Sequence, residues 1–164
     1  MAQVTCCIIE SSIEPCEVLK MIPHGSHGAE NVFLGYVRDI NLGKRVTAVA
    51  YDAFAPLAVK VFISICEEAR LKWGEDLRIF VGHRTGHLQV GEISIGIAVS
   101  SRHRDESYLA SRYVLEEIKT RAPIWKKEYY ENGETDWVRG HALCGHADRG
   151  ATACRGHVHP HGNG

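Results

Sequence analysis

Residues 92–100 (Glu-Ile-Ser-Ile-Gly-Ile-Ala-Val-Ser) alternate large and small side chains without a break. Successive side chains of a strand point to opposite faces, so Ile93, Ile95, Ile97 and Val99 share one face and Ser94, Gly96, Ala98 and Ser100 the other. The large face fills a core; the small face lets another element approach closely. The strand delivers the chain into Arg102-His103-Arg104 and then into a helix. Asp105 and Glu106 sit in a first turn that favours anions, after the possible cap Ser101, and Leu109, Tyr113, Val114 and Ile118 recur at helical spacing. Pro123 ends the helix, because proline has no N–H to donate and biases Ala122 away from helical geometry. Lys119 therefore lies on the last helical turn and Lys126 beyond it in extended chain; a turn that doubles back could bring both ammonium groups to one pocket.

Four cations (Lys119, Arg121, Lys126, Lys127) against one anion (Glu128), interleaved with Pro123, Ile124 and Trp125, allow two readings. In one, Ile124 and Trp125 are buried, and a lysine held beside other cations and partly desolvated has a pKa lowered toward acid–base work. In the other, the segment is a solvated basic face whose stems lie over apolar surface. Arg102-His103-Arg104, at a strand-to-helix junction near free helical N–H groups, likewise suits a phosphate or forms a solvated basic turn.

Upstream, residues 4–10 are β-prone and place Cys6 and Cys7 on opposite faces as small buried groups. Residues 15–22 predict a short helix with Pro15 in its first turn, and residues 24–28 a loop. Residues 29–38 and 46–54 read as two strands of a β-hairpin, with Arg38 at the end of the first, either reaching a cleft or solubilising an edge. Residues 56–73 predict an amphipathic helix with Ala58, Phe62, Ile65, Cys66 and Ala69 inward and Gly74 as its stop. Residues 77–81 predict a strand, 82–91 a turn-rich connection, and 131–134 a turn between two short edge strands.

With 164 residues the chain fits one domain, read as residues 1–139, followed by a Gly/His/Cys-rich tail, 140–164. The tail has no helical or strand period and reads as disordered, although His141, Cys144, His146, Cys154, His157, His159 and His161 are competent metal ligands. A net charge of −1 argues against nucleic acid, and no apolar run approaches a membrane span. The expected location is the cytoplasm, where six scattered cysteines are thiols rather than a disulfide framework.

His83-Arg84-Thr85-Gly86, Val90-Gly91-Glu92, His103-Arg104 and the run Lys119-Thr-Arg-Ala-Pro-Ile-Trp-Lys-Lys-Glu128, in this order, resemble the large, catalytic subunit of molybdopterin synthase. Gly28-Ala29, Phe33-Leu-Gly-Tyr-Val-Arg38 and Trp137-Val138 extend the match to about residues 28–138. The resemblance implies an α+β fold, an α/β hammerhead-type domain with largely antiparallel strands and two main helices. It implies a sulfurtransferase that converts cyclic pyranopterin monophosphate (precursor Z) into the dithiolene of molybdopterin. Sulfur would arrive as a thiocarboxylate on the Gly-Gly C-terminus of a small ubiquitin-like subunit, with two large subunits forming the central dimer of a heterotetramer. By the same resemblance Lys119 and Lys126 are catalytic, and Tyr36, Val37, Arg38, His103, Arg104, Lys119, Lys126, Lys127 and Glu128 bind substrate. No resident cofactor or metal is implied, and molybdenum is not bound by this subunit. Where the family carries an acidic residue shortly before its Gly-Ala, this chain has histidines, His24 and His27. Two rival readings are a persulfide carrier using one of the cysteines, and a non-catalytic module that binds a ubiquitin-like tail or handles metal through its own tail.

Overall fold

The computed structural model describes residues 3–139. The alternating strand is β7 (Ile93–Ser101), buried along its whole length inside a four-stranded sheet. Its neighbours are β5 (Arg78–Arg84) and β2 (Ala29–Tyr36), both antiparallel to it; β1 (Val4–Ile9) adds parallel to β5. On the large face, Ile95, Ile97 and Val99 join a core with helices α2 (Ala55–Trp73) and α3 (Arg104–Arg121). Ile93, expected on that face, packs instead with Phe80 and Ala98 in the opposite core, because the register shift opposite it, between Gly35 and Tyr36, breaks the alternation. On the small face lies helix α1 (Pro15–Lys20), with Ile13, Val18 and Ile22 packed on Ala98 and Phe80. A Cβ at Gly96 would stand 3.1 Å from Val18 Cγ2, so the missing side chain is what admits α1. Cys6 and Cys7 divide between these two cores as strand alternation requires.

Helix α2 buries the expected stripe, Ala58, Phe62, Ile65, Cys66 and Ala69. Helix α3 does so in part: Val114 and Ile118 are buried and Tyr113 packs on the core, but Leu109 is 50% exposed and the rest of the buried face is Ser107, Ala110 and Ser111. Small residues are selected there because α3 is pressed against α2, β2 and β7 together. Ser101 is not its cap; it ends β7, and its Oγ donates to the His103 carbonyl at 2.5 Å.

The second sheet corrects the expected hairpin. Residues 29–38 and 46–54 do not pair: β2 lies against β7, whereas β4 (Lys44–Ala53) forms a separate sheet with β8 (Ile124–Tyr130), β9 (Thr135–Arg139), β3 (Ile40–Asn41) and β6 (Gly86–Gln89). The hairpin that does form is smaller, Ile40↔Arg45 and Asn41↔Lys44 about Leu42-Gly43. Both central residues have positive φ, 48° and 77°, the geometry of a type I′ turn. Leu42 is the only non-glycine residue with positive φ among the described residues, and it is 92% exposed, so nothing it packs against repays the strain. Leu42→Asn, a residue that tolerates this conformation, is expected to stabilise the chain by about 0.5–1 kcal/mol, read as a higher urea midpoint at unchanged m-value.

The connection 82–91 is more ordered than turn residues suggested. β5 continues to Arg84, Gly86 bends the chain at φ 92°, and β6 then pairs with β4, so one run of backbone passes from the first sheet to the second. Arg84 Nη1 bonds Glu92 Oε1 at 2.8 Å, and Glu92 Oε2 accepts the Gln89 N–H at 2.6 Å. The His-Arg-Thr-Gly and Val-Gly-Glu motifs thus pin the crossing between sheets. Strand β8 is interior, between β4 and β9, rather than an edge. Among the described residues no helix is long and apolar enough to cross a membrane.

Candidate active site

The chain leaves α3 through Ala122, extended at φ −71°, ψ 137°, and a tight turn at Pro123 in which the Ile124 N–H donates to the Ala122 carbonyl at 2.8 Å. This returns the backbone at once into β8. Ile124 is buried as expected; Trp125 is 38% exposed, because alternation turns it with Lys127 to the outer face of the sheet. Lys126 and Glu128 face inward.

There they meet residues from three other strands around a cavity of 40 Å³. Tyr36, Val37 and Arg38 enter from the end of β2, Asn41 from β3, and Tyr51 from β4. Val37 is buried in a small core with Val46, Val49 and Leu88, which forms the floor. Glu128 is the electrostatic anchor. It is almost fully buried, pairs with Lys126, and accepts from the Tyr130 hydroxyl and from Asn41 Nδ2 at 2.7 Å. Burial pushes its carboxyl up, but Lys126, Tyr130 and Asn41 outweigh that and hold it below the ordinary carboxylate range. Burial pushes the Tyr51 phenol up. Behind Tyr51, at 5.1 Å between ring centroids, stands His83, wholly buried and lowered by burial to about 4. Its Nδ1–H donates to the Arg84 carbonyl at 2.9 Å, so the ring is a neutral wall.

The residues singled out in sequence do not all converge. Tyr36, Val37, Arg38, Lys126 and Glu128 share the cavity. Lys119 is half-buried on the last turn of α3, and its ammonium has no hydrogen bond or ion pair among the described residues. Arg121 leaves the basic cluster altogether, forked onto Glu68 of α2 at 2.7 and 2.8 Å. Lys127 lies on the outer face over the rings of Tyr129 and Trp137. His103 and Arg104 are exposed at the N-terminus of α3; fifteen residues at a rise of about 1.5 Å put Arg104 about 22 Å along the helix from Lys119. At that corner Asp76 supplies the carboxylate, bonded to Arg102 Nε at 2.5 Å, and His27 Nδ1 meets Ser100 Oγ at 2.7 Å. Asn41 and Tyr51 were not singled out as site residues: turn chemistry explained the first, and the facing of the second needed the pairing of β4 with β8. The tail ligands His141, Cys144, His146, Cys154, His157, His159 and His161 lie outside the described residues. Among the described residues no group of three or more His, Cys, Asp or Glu is placed to hold a metal ion.

Fold and cavity together define a two-sheet α+β domain with a small polar cavity in which Arg38 and Lys126 stand beside a buried carboxylate. The chain belongs to the MoaE protein family, whose model matches residues 8–121. A molybdopterin synthase catalytic subunit from Synechococcus elongatus is 48% identical over 118 residues, 72% of each chain. The crystal structure of molybdopterin synthase from Staphylococcus aureus superposes with a TM-score of 0.77 at 35% identity, covering 84% of this chain and 98% of that one. A complex of subunits 1 and 2 of molybdopterin-converting factor from Helicobacter pylori 26695 shares the fold at TM-score 0.64 and 20% identity, covering 84% and 91% of the two chains.

Proposed function

We propose that this chain is the catalytic subunit of a molybdopterin synthase, transferring sulfur from the thiocarboxylated Gly-Gly terminus of a small ubiquitin-like subunit to precursor Z. The observation that carries the reading is the cavity itself, where Arg38 and the Lys126–Glu128 pair meet within the matching family fold. Both the substrate phosphate and the incoming tail are anionic, so bringing them together requires fixed cations. Arg38, Lys126, His103 and Arg104 supply them, with Tyr36 and Val37 walling the pterin and Lys127 adding positive potential from the outer face. Lys119, whose ammonium has no protein partner among the described residues, moves protons at the pterin side chain as the cyclic phosphate opens. Glu128 holds Lys126 in place beside the acyl–sulfur intermediate. The subunit uses no resident cofactor, does not bind molybdenum, and works in the cytoplasm.

Lys119 and Arg104 sit at opposite ends of one helix, too far apart for a single small substrate to touch both within one chain. A dimer of large subunits in which one copy's Arg104 and His103 approach the other copy's Lys119 removes the conflict. The persulfide reading is weakened at two of the described thiols: contact with Cys6 and burial push the Cys66 thiol up, and burial pushes Cys7 up, against the thiolate that sulfur transfer needs. Purified chain mixed with thiocarboxylated small subunit and precursor Z is expected to give molybdopterin in a single turnover, with yield unchanged when any one cysteine is replaced by serine or residues 140–164 are removed. Binding of the small subunit without product refutes the catalytic reading.

A further inference from the structure

We propose that Asn41 is a positioning residue for Lys126, acting through Glu128. The Glu128 carboxylate receives bonds from Lys126 and Tyr130 on its own strand and, from another strand, the Asn41 amide, at 2.7 Å. Two anchors along β8 fix where the carboxylate lies along the strand; only a third, from across the cavity, fixes its tilt toward the cavity mouth. Asn41 is held for this purpose. It occupies the position before the two positive-φ residues of the hairpin, in a strand of two residues paired to Lys44 and Arg45, so the turn conformation dictates where its amide points. That gives the strained Leu42 conformation a use: a relaxed turn of another type would swing β3 away from β8.

The neutrality of the amide matters as much as its bond. The charged and titratable groups facing Glu128 are Lys126 and Tyr130 from β8, Tyr36 and Arg38 from the end of β2 and Tyr51 from β4. An amide donates to the carboxylate without adding charge to this set, leaving Glu128 as the one anion beside the two cations Lys126 and Arg38. A carboxyl in its place would share a proton with Glu128 and compete with it for Lys126.

The inference deepens the sulfur-transfer reading, and its test has one arm independent of turnover. In the reconstituted two-subunit complex, Asn41→Ala is expected to lower kcat about tenfold with KM for precursor Z changed less than twofold, because Lys126 is displaced rather than lost. Asn41→Asp is expected to move the acid limb of the pH profile upward by about one unit, as two adjoining carboxyls titrate together. In the isolated full-length chain, acylation of Lys126 by an amine-reactive reagent at a fixed alkaline pH, followed by mass spectrometry, is expected to change at least about threefold in Asn41→Ala, because the Glu128 carboxylate that holds Lys126 has lost its third anchor, with exposed Lys60 unchanged as the control. Wild-type kcat in Asn41→Ala, or a Lys126 labelling rate in Asn41→Ala equal to wild type, overturns the inference. A wild-type complex that makes no product while Lys126 labelling still responds to Asn41→Ala refutes the sulfur-transfer reading and leaves the positioning role standing. Where Asn41→Asp does not fold, the kcat-against-KM split and the Lys126 labelling rate in Asn41→Ala decide.

Discussion

Lys119→Ala is expected to cut single-turnover formation of molybdopterin by about 10²–10⁴-fold, the span that a positioned proton-transfer group contributes, with the small subunit still bound. Lys119 has no hydrogen bond or ion pair among the described residues, so its removal strands no buried charge, and the thermal midpoint is expected to stay close to wild type. Activity and stability therefore separate. The same variant tests the shared-site dimer. Arg104→Ala is expected to be nearly inactive as well, being one of the cations that hold the substrate. If Arg104 of one copy serves the site of the other, a dimer pairing Lys119→Ala with Arg104→Ala contains one site with both residues intact. Random reassociation of equal amounts of the two variants then restores about a quarter of wild-type turnover. No recovery, with mixed dimers verified by mass spectrometry, means that both residues act within one chain and that the helix-length argument is wrong.

The second large effect is loss of stability in weak acid, arising from His83. Its pKa in the folded chain is about 4, lowered by burial from an ordinary 6.5. Between these values the unfolded chain binds a proton that the folded chain refuses, so stability falls as pH falls. The contribution is fully present above 6.5 and exhausted near 4. About 2.5 units correspond to about 3 kcal/mol, a large fraction of what holds a domain of this size together. Below the ordinary carboxylate range Glu68, held down to about 2 by Arg121, and Glu128 add to the loss with the same sign, since protonating them ends bonds the folded state depends on. Urea unfolding at about pH 7 and about pH 4.5 is expected to differ by about 2–3 kcal/mol in wild type and by clearly less in His83→Phe. An equal difference in both proteins assigns the acid sensitivity elsewhere. The neutral ring also walls the cavity through Tyr51, so acid that charges His83 is expected to disturb the site before the domain unfolds.

The sequence carried a great deal of this. Alternation over 92–100 marked β7 as a buried strand and set Ile95, Ile97 and Val99 against Ala98, because period-2 patterning is a local property; only the irregular pairing with β2 turned Ile93 to the other core. Pro123 fixed the end of α3, because the lost N–H and the restriction on Ala122 act within three residues. The ordered motifs pointed to the family, and Lys126 and Glu128, two apart in a strand, necessarily share a face. What needed the tertiary structure was every choice of partner. Residues 29–38 and 46–54 look like a hairpin by composition, yet the first pairs with β7 and the second with β8; a strand's own sequence does not say which neighbour buries more of it. Arg121 and Lys119 lie two residues apart with equal charge, and only the position of Glu68 on α2 makes one an ion-pair partner and leaves the other without one among the described residues. Asn41 read as a turn residue and became the third anchor of a buried carboxylate 87 residues away in the chain. Side-chain direction along one element follows from backbone periodicity and is written in the sequence; which element stands opposite is set by the packing of the whole chain, and the site is made of those oppositions.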